Sequence, residues 1–464
     1  MSYVIPIRII DSHQPRAVFM SQSNEKQVDL SRRNFLAAGA AVTLAAGTSA
    51  SLVSTPAQAA IKTKAHIVVV GSGLAGLGMV NRLRKQLDGA KITLLDAKKI
   101  HHYQPGFTLV STGIWPIEKL SNTNQELIPA GVNWIQEMAR EFKPDTNQVI
   151  TDSGKVLNYD YLIVATGTHL DYAQIEGMDA SRIGSKGLTS MYHSPEMSLA
   201  TWKSMAEFCK TGGTALMTLP AAPIKCSGAP LKITFMLANR LQQAGTFADS
   251  SIDFHSSISS VFSVPLINQE VLNRWDALDI PVHFQSQLVA VDIDAQRATF
   301  QQTDGSRIQK DYDFLHVPPP MRAPDSVKNS PLAWQDGPLA EGGWLDVDPG
   351  TLQHKRYANV FGVGDINGTP KGKTAATAKK SIPMVVENLI SVMTGKEPSK
   401  IFDGYTSCPL LVREGAALLV EFDYENNMTP SLPFVKPLED SYFAWLLKYR
   451  LFKPSYMAVA KGRL

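Results

Sequence analysis

Two cysteines stand in contexts suited to chemistry: Cys226 in Lys225-Cys226-Ser227-Gly228-Ala229-Pro230 and Cys408 in Thr406-Ser407-Cys408-Pro409-Leu410. Proline and small neighbours leave sulfur accessible, and two such thiols brought together by folding can cycle between dithiol and disulfide. A structural disulfide stapling the C-terminal segment is the competing reading. The third cysteine, Cys209, ends the amphipathic helical pattern Trp202-Lys203-Ser204-Met205-Ala206-Glu207-Phe208-Cys209 and reads as a small buried hydrophobe. His101, His102, His193 and Lys225 are candidate modifiers of protonation, although packed or surface histidines are the simpler reading. No metal site is expected.

A second chemistry is written in glycines. Ala65-His66-Ile67-Val68-Val69-Val70 reads as a buried parallel strand, Gly71-Ser72-Gly73-Leu74-Ala75-Gly76 as a tight turn opening a helix, and Lys91-Ile92-Thr93-Leu94-Leu95-Asp96 as a second strand. This spacing is a dinucleotide fingerprint. Gly71 allows the turn, Gly73 lets bare backbone approach a pyrophosphate at the helix N-terminus, and Gly76 lets helix pack on strand. Asp96 is placed to accept from ribose hydroxyls. Farther on, Tyr159-Asp160-Tyr161-Leu162-Ile163-Val164-Ala165-Thr166-Gly167 looks like the return strand of a flavoprotein's first domain. Asn359-Val360-Phe361-Gly362-Val363-Gly364-Asp365 resembles the motif whose aspartate binds the ribityl chain of FAD. Lys371-Gly372-Lys373-Thr374-Ala375-Ala376 follows as a helix start suited to a reduced, anionic flavin. Three such segments in this order point to FAD.

In flavoproteins that use a nicotinamide, the second domain repeats the glycine turn after its first strand. Here that place reads Leu219-Pro220-Ala221-Ala222-Pro223-Ile224-Lys225-Cys226. Prolines replace glycines and a thiol replaces the phosphate cradle, so reducing equivalents are expected to arrive as a nucleophile at sulfur.

The elements that must position these residues make an α/β protein: two Rossmann-like domains of the FAD/NAD(P)-binding flavoprotein type plus a C-terminal membrane-associating element. Residues 60–175 form the first segment of the FAD-binding domain, and 176–320 the second Rossmann-like domain, carrying Cys226. Residues 321–400 return to the FAD-binding domain across Pro318-Pro319-Pro320, and 401–464 form the C-terminal element with Cys408. Residues 1–59 read as a twin-arginine signal peptide, with Ser31-Arg32-Arg33-Asn34-Phe35-Leu36, an alanine-rich stretch and the cleavage motif Ala57-Gln58-Ala59. Met1 and Met20 are both candidate starts. Export to the periplasm, where a disulfide persists, is the expectation. A net charge of +3 over 464 residues, 45 basic against 42 acidic, excludes a nucleic-acid footprint. Tyr442-Phe443-Ala444-Trp445-Leu446-Leu447-Lys448-Tyr449-Arg450-Leu451-Phe452-Lys453 mixes aromatic, aliphatic and cationic groups, as in an element lying in a membrane interface. A helix capping the FAD domain is the competing reading.

From about residue 65 to 434 the chain resembles the sulfide:quinone oxidoreductases, in the branch that includes the mitochondrial enzymes. His102-Tyr103-Gln104-Pro105-Gly106-Phe107-Thr108-Leu109 and the two cysteine segments carry the likeness. The resemblance implies that Leu74, Ala75, Asp96, Gln104, Ala139, Asp365 and Lys373 lie at or beside FAD. It also implies that sulfide attacks a Cys226/Cys408 disulfide at Cys408, that Cys226 faces the flavin, and that membrane quinone takes the electrons near Phe422, Tyr424 and Phe434. Ile366 stands where the family has a cysteine outside the redox pair, and no cysteine adjoins Gln104 for a covalent flavin link. The sulfane-sulfur acceptor, the quinone type and any homo-oligomer are not specified. Two alternatives fit less of the pattern: the flavoprotein subunit of a flavocytochrome c sulfide dehydrogenase, and a non-enzymatic periplasmic flavin redox sensor or sulfur carrier. NADH and NADPH are expected not to bleach the flavin anaerobically at useful rates; rapid bleaching by either would restore a nucleotide site to the second domain.

Overall fold

The valine run after Ala65 lacks polar alternation, so a strand made from it has to be covered on both faces. In the computed structural model, which describes residues 60–464, His66–Val70 is the middle of a five-stranded parallel sheet. Its strand order is Val360–Gly362, Tyr161–Val164, His66–Val70, Lys91–Leu95, Val132–Ile135. The helix Leu74–Gln86 lies between His66–Val70 and Lys91–Leu95 in the chain, and Ala375–Met393 packs against it. The expected signal peptide, 1–59, lies outside the described residues.

A second five-stranded parallel sheet is ordered Leu188–Thr189, Phe314–His316, Gly213–Leu219, Ser250–Ser256, Val282–His283. Its last four strands repeat the first sheet's fourth, first, second, third arrangement, which right-handed crossovers between parallel strands produce. The helix Ala229–Ala244 is the crossover that follows Gly213–Leu219. Where the chain leaves and re-enters the first half, His169–Leu170 pairs antiparallel with Met321–Arg322, and Arg322 Nε meets Asp171 Oδ2 at 2.8 Å.

A hairpin of Thr406–Arg413 and Ala416–Phe422 lies on the helix Ala229–Ala244 and brings Cys408 to its N-terminal end. The tail then forms Tyr442–Leu446, a π-helical turn Leu447–Leu451, and Phe452–Ala460. The tail has an inner side and an outer one. Tyr456, Val459 and Ala460 are buried, while Tyr442, Phe443 and Leu451 are exposed. No helix among the described residues is long and apolar enough to cross a membrane.

The inner half of the tail is sewn to the first domain by Asn81. Its Nδ2 donates to Ala460 O at 2.9 Å, Leu127 O at 2.8 Å and Leu77 O at 3.0 Å. Lys85 Nζ adds a bond to Gly462 O at 2.6 Å. Replacing Asn81 with alanine removes the side-chain donor from Leu127 O and Ala460 O, while Leu77 O keeps its helical bond. Denaturant unfolding of the flavin-loaded protein is expected to lose about 2 to 3 kcal/mol, and an unchanged midpoint would show that the tail is held by other contacts.

Candidate active site

The glycine turn is built by close approach. Gly71 has φ +109°, and a Cβ there would lie 2.3 Å from Ala165 O; a Cβ on Gly76 would lie 1.8 Å from Gly71 O. Gly73 differs, because a Cβ there would meet nothing within 4 Å. The turn is tight beneath and open above. Asp96 braces it: Oδ2 accepts from Ser72 N at 2.7 Å and Ser72 Oγ at 3.0 Å, and Oδ1 from Lys98 N at 2.9 Å. The acid expected to face a ribose thus also fixes the loop.

Leu74 and Ala75 open the helix, and Gly364 abuts it so closely that a Cβ would lie 2.9 Å from Ala75 Cβ. This sets Asp365 beside the start of that helix. Lys373 Nζ donates to Asp365 O at 2.7 Å and Asn367 O at 3.1 Å, and lies 3.5 Å over the Trp344 ring. Burial lowers the Lys373 ammonium to about 7 and raises the Asp365 carboxyl, with Lys373 and Lys225 opposing the latter. Gln104 is exposed in the turn Gln104–Gly106, and Ala139 opens the strand Ala139–Lys143. Thr166 Oγ1 is buried without a partner in the return turn. An open glycine face, an orphaned hydroxyl and an acid and lysine at one end fit FAD.

The second half delivers sulfur to that end. Cys226 adopts a left-handed φ of +51°; its N–H donates to Lys373 O at 2.9 Å and its carbonyl accepts from Ala229 N at 2.7 Å. The thiol therefore sits at the N-terminus of the helix Ala229–Ala244, beside the Asp365 and Lys373 segment. Cys408 lies over Gly228, where a Cβ would come within 2.6 Å of Cys408 Sγ, so position 228 has to lack a side chain. Both cysteines are free thiols, and Cys408 hydrogen-bonds to Cys226.

Two lysines, neither singled out as a site residue by the sequence, complete the arrangement. Lys232, 1% exposed, stands one turn into the helix; side chains lean toward a helix N-terminus, and its Nζ lies 3.3 Å from Cys226 Sγ. Lys448, 3% exposed, comes from the π-helical turn and donates to Pro105 O at 2.5 Å. The hydrogen bond from Cys408 holds the Cys226 thiol well below its ordinary range; burial opposes it, and the Lys232 and Lys448 charges add to the lowering. Cys408, as that donor and buried, is pushed well above. Burial opposes the Lys232 charge, but the two sulfurs keep it protonated. Burial and the Lys232 charge bring Lys448 down to about 7.

The remaining candidates fall elsewhere. Cys209 is buried on the helix Pro195–Thr211, its thiol pushed up to about 11 by burial. His101 is packed: Nε2 meets Tyr456 Oη at 2.8 Å, Nδ1 meets Ser72 O at 3.3 Å, and burial lowers it to about 4. His102 Nδ1 meets Ser121 Oγ at 3.0 Å, and His193 is exposed beside Tyr172. Lys225 faces Asp365, lowered to about 8 by burial. Phe422 is buried edge-on to Phe262, Tyr424 packs on Phe402, and Phe434 is exposed against Phe443. A cavity of about 10 Å³ beside Leu219 and Pro220 has room for a water but not a pyrophosphate.

Paired parallel sheets, a glycine turn on the first and a thiol loop on the second define a flavoprotein of the disulfide oxidoreductase class. The family model described as pyridine nucleotide-disulphide oxidoreductase matches residues 65–196. The mitochondrial sulfide:quinone oxidoreductase of Mus musculus is 35% identical over 80% of this chain and 81% of its own length. That of Dictyostelium discoideum is 35% identical over 87% of each. The X-ray structure of the sulfide:quinone oxidoreductase from Aquifex aeolicus shares the fold, with a TM-score of 0.70 at 21% identity, covering 86% of this chain and 92% of that one. The chain belongs to the sulfide:quinone oxidoreductase family, and it is an FAD-binding oxidoreductase.

Alkylation reads the thiolate directly, since the thiolate is the reacting form. For the reduced protein, iodoacetamide labelling of Cys226 is expected to stay fast well below the ordinary thiol range and to fall only as pH drops through the lowered pKa. Lys232→Met removes an adjacent cation, so the midpoint should rise by about 1 to 3 units; an unmoved midpoint would remove Lys232 from the site.

Proposed function

We propose that the protein oxidises sulfide at a Cys226/Cys408 disulfide and passes the electrons through FAD to membrane quinone. The observation that carries this reading is the unequal pair: a Cys226 sulfur stabilised as thiolate by Lys232, in a loop hydrogen-bonded to Lys373. The relatives named for this reaction support the same donor and acceptor.

Hydrosulfide attacks Cys408 Sγ, the S–S bond breaks, and its electron pair leaves on Cys226 Sγ. The direction follows from leaving-group chemistry, because the sulfur with the lower pKa departs faster. Cys408 then carries the added sulfur as a persulfide. A second nucleophile takes that outer sulfur, and the electron pair returns to Cys408 Sγ. Lys448, buried within electrostatic reach of both sulfurs and lowered to about 7, is the proposed source of the proton. FAD supplies the two-electron acceptor that restores the disulfide; Gly71, Gly73, Gly76 and Asp96 would hold its dinucleotide end, and Asp365 and Lys373 the other.

Export by the twin-arginine route places this reaction in the periplasm. Phe434, Tyr442, Phe443 and Leu451, all exposed, with Arg450 beside them, are the proposed membrane face.

The test is sulfide-dependent reduction of a soluble quinone by the purified holoprotein. Cys226→Ser and Cys408→Ser are each expected to lower it by more than about a thousandfold with FAD still bound, while Cys209→Ser changes little. Full turnover in either active-site variant would overturn the assignment.

A further inference from the structure

Away from the cleft, the second sheet brings together an acid and two histidines. Asp253 and His255 lie two residues apart on Ser250–Ser256, and His283 is the residue paired with His255 on Val282–His283. A carboxylate oxygen of Asp253 and one ring nitrogen of each histidine lie within 4.8 Å of one another.

His255 is held as a ligand is held. It is 3% exposed and stacked on Phe300 with ring centroids 3.8 Å apart. Its Nδ1 meets Ser286 Oγ at 2.8 Å, and Ser286 Oγ is also met by Gln302 Nε2 at 3.0 Å. Its Nε2, buried, has no hydrogen-bond partner. With Nδ1 donating to Ser286, Nε2 carries the lone pair, the usual orientation of a metal-binding imidazole anchored through its other nitrogen.

We propose that Asp253, His255 and His283 bind a divalent transition-metal ion of the zinc class. Two imidazoles and one carboxylate, with an open fourth position, are a familiar ligand set for zinc. Two adjustments are required. The His283 ring, stacked at 4.5 Å and 19° to His255, already brings Nε2 to 3.2 Å from Asp253 Oδ2, and has to exchange that hydrogen bond for the metal. Lys310 Nζ, now 2.6 Å from Asp253 Oδ2, has to give up that oxygen. The lysine thus competes with the metal.

The test is zinc chloride titration of the flavin-loaded protein in a chelator-buffered solution, followed by calorimetry or equilibrium dialysis. One ion is expected in the wild type, at least about tenfold weaker binding in His283→Ala and His255→Ala, and tighter binding in Lys310→Met. If His255→Ala does not fold, His283→Ala at its exposed position carries the comparison. Identical zinc stoichiometry and affinity in the wild type and His283→Ala, or no tightening in Lys310→Met, would overturn the site.

Discussion

The contact on which the site depends is the one between Lys232 and Cys226, a cation and a sulfur placed together out of water. An ammonium that is 1% exposed is tolerated only with a charged or strongly polar partner. A thiolate is likewise disfavoured by burial unless something stabilises it. Each group therefore answers the other's desolvation, and the helix N-terminus adds to the same sign of potential. The hydrogen bond from Cys408 is the largest cause of the low Cys226 pKa and of the inequality between the two sulfurs, the Lys232 charge adds to it, and Cys226 is thereby the better leaving group.

The rest of the architecture can be read as support for that contact. The first sheet holds the glycine turn and the Asp365 loop, and the second holds the thiol loop. The Cys226 N–H bond to Lys373 O joins their facing ends. Cys408 arrives from a hairpin far along the chain and packs over Gly228, where the missing side chain leaves room for its sulfur. The tail closes the assembly by sending Lys448 inward while Asn81 holds its last turn. In a nicotinamide-using relative of this fold the helix N-terminus would face a pyrophosphate; here the same positive end faces a sulfur anion.

Much of this was legible because it is local. The valine strand, the glycine turn and the Gly364-Asp365 turn are short segments whose residue types dictate their conformation, and each forms where the sequence puts it. The union of Cys226 with Cys408 is different, since nothing local joins them and only the family likeness suggested it. Lys232 and Lys448 were missed, yet a signal existed: each is a lysine inside an otherwise apolar run, Pro230-Leu231-Lys232-Ile233 and Leu446-Leu447-Lys448-Tyr449, and a buried lysine requires a partner. The tail resisted a single reading because its aromatic and cationic residues divide between an inward face and an outward one only when the π-helical turn is present. Asp253, His255 and His283 were not legible at all, because strand pairing alone brings them together.

The central claim is the asymmetry of the cysteine pair, and the most direct measurement is the location of the added sulfur after one turnover. Oxidised protein mixed anaerobically with one equivalent of sulfide, trapped with an alkylating agent and digested, reports each cysteine separately by mass spectrometry. The account predicts the persulfide adduct on the Cys408 peptide and simple alkylation of Cys226. A persulfide on Cys226 with Cys408 alkylated as a plain thiol would contradict it.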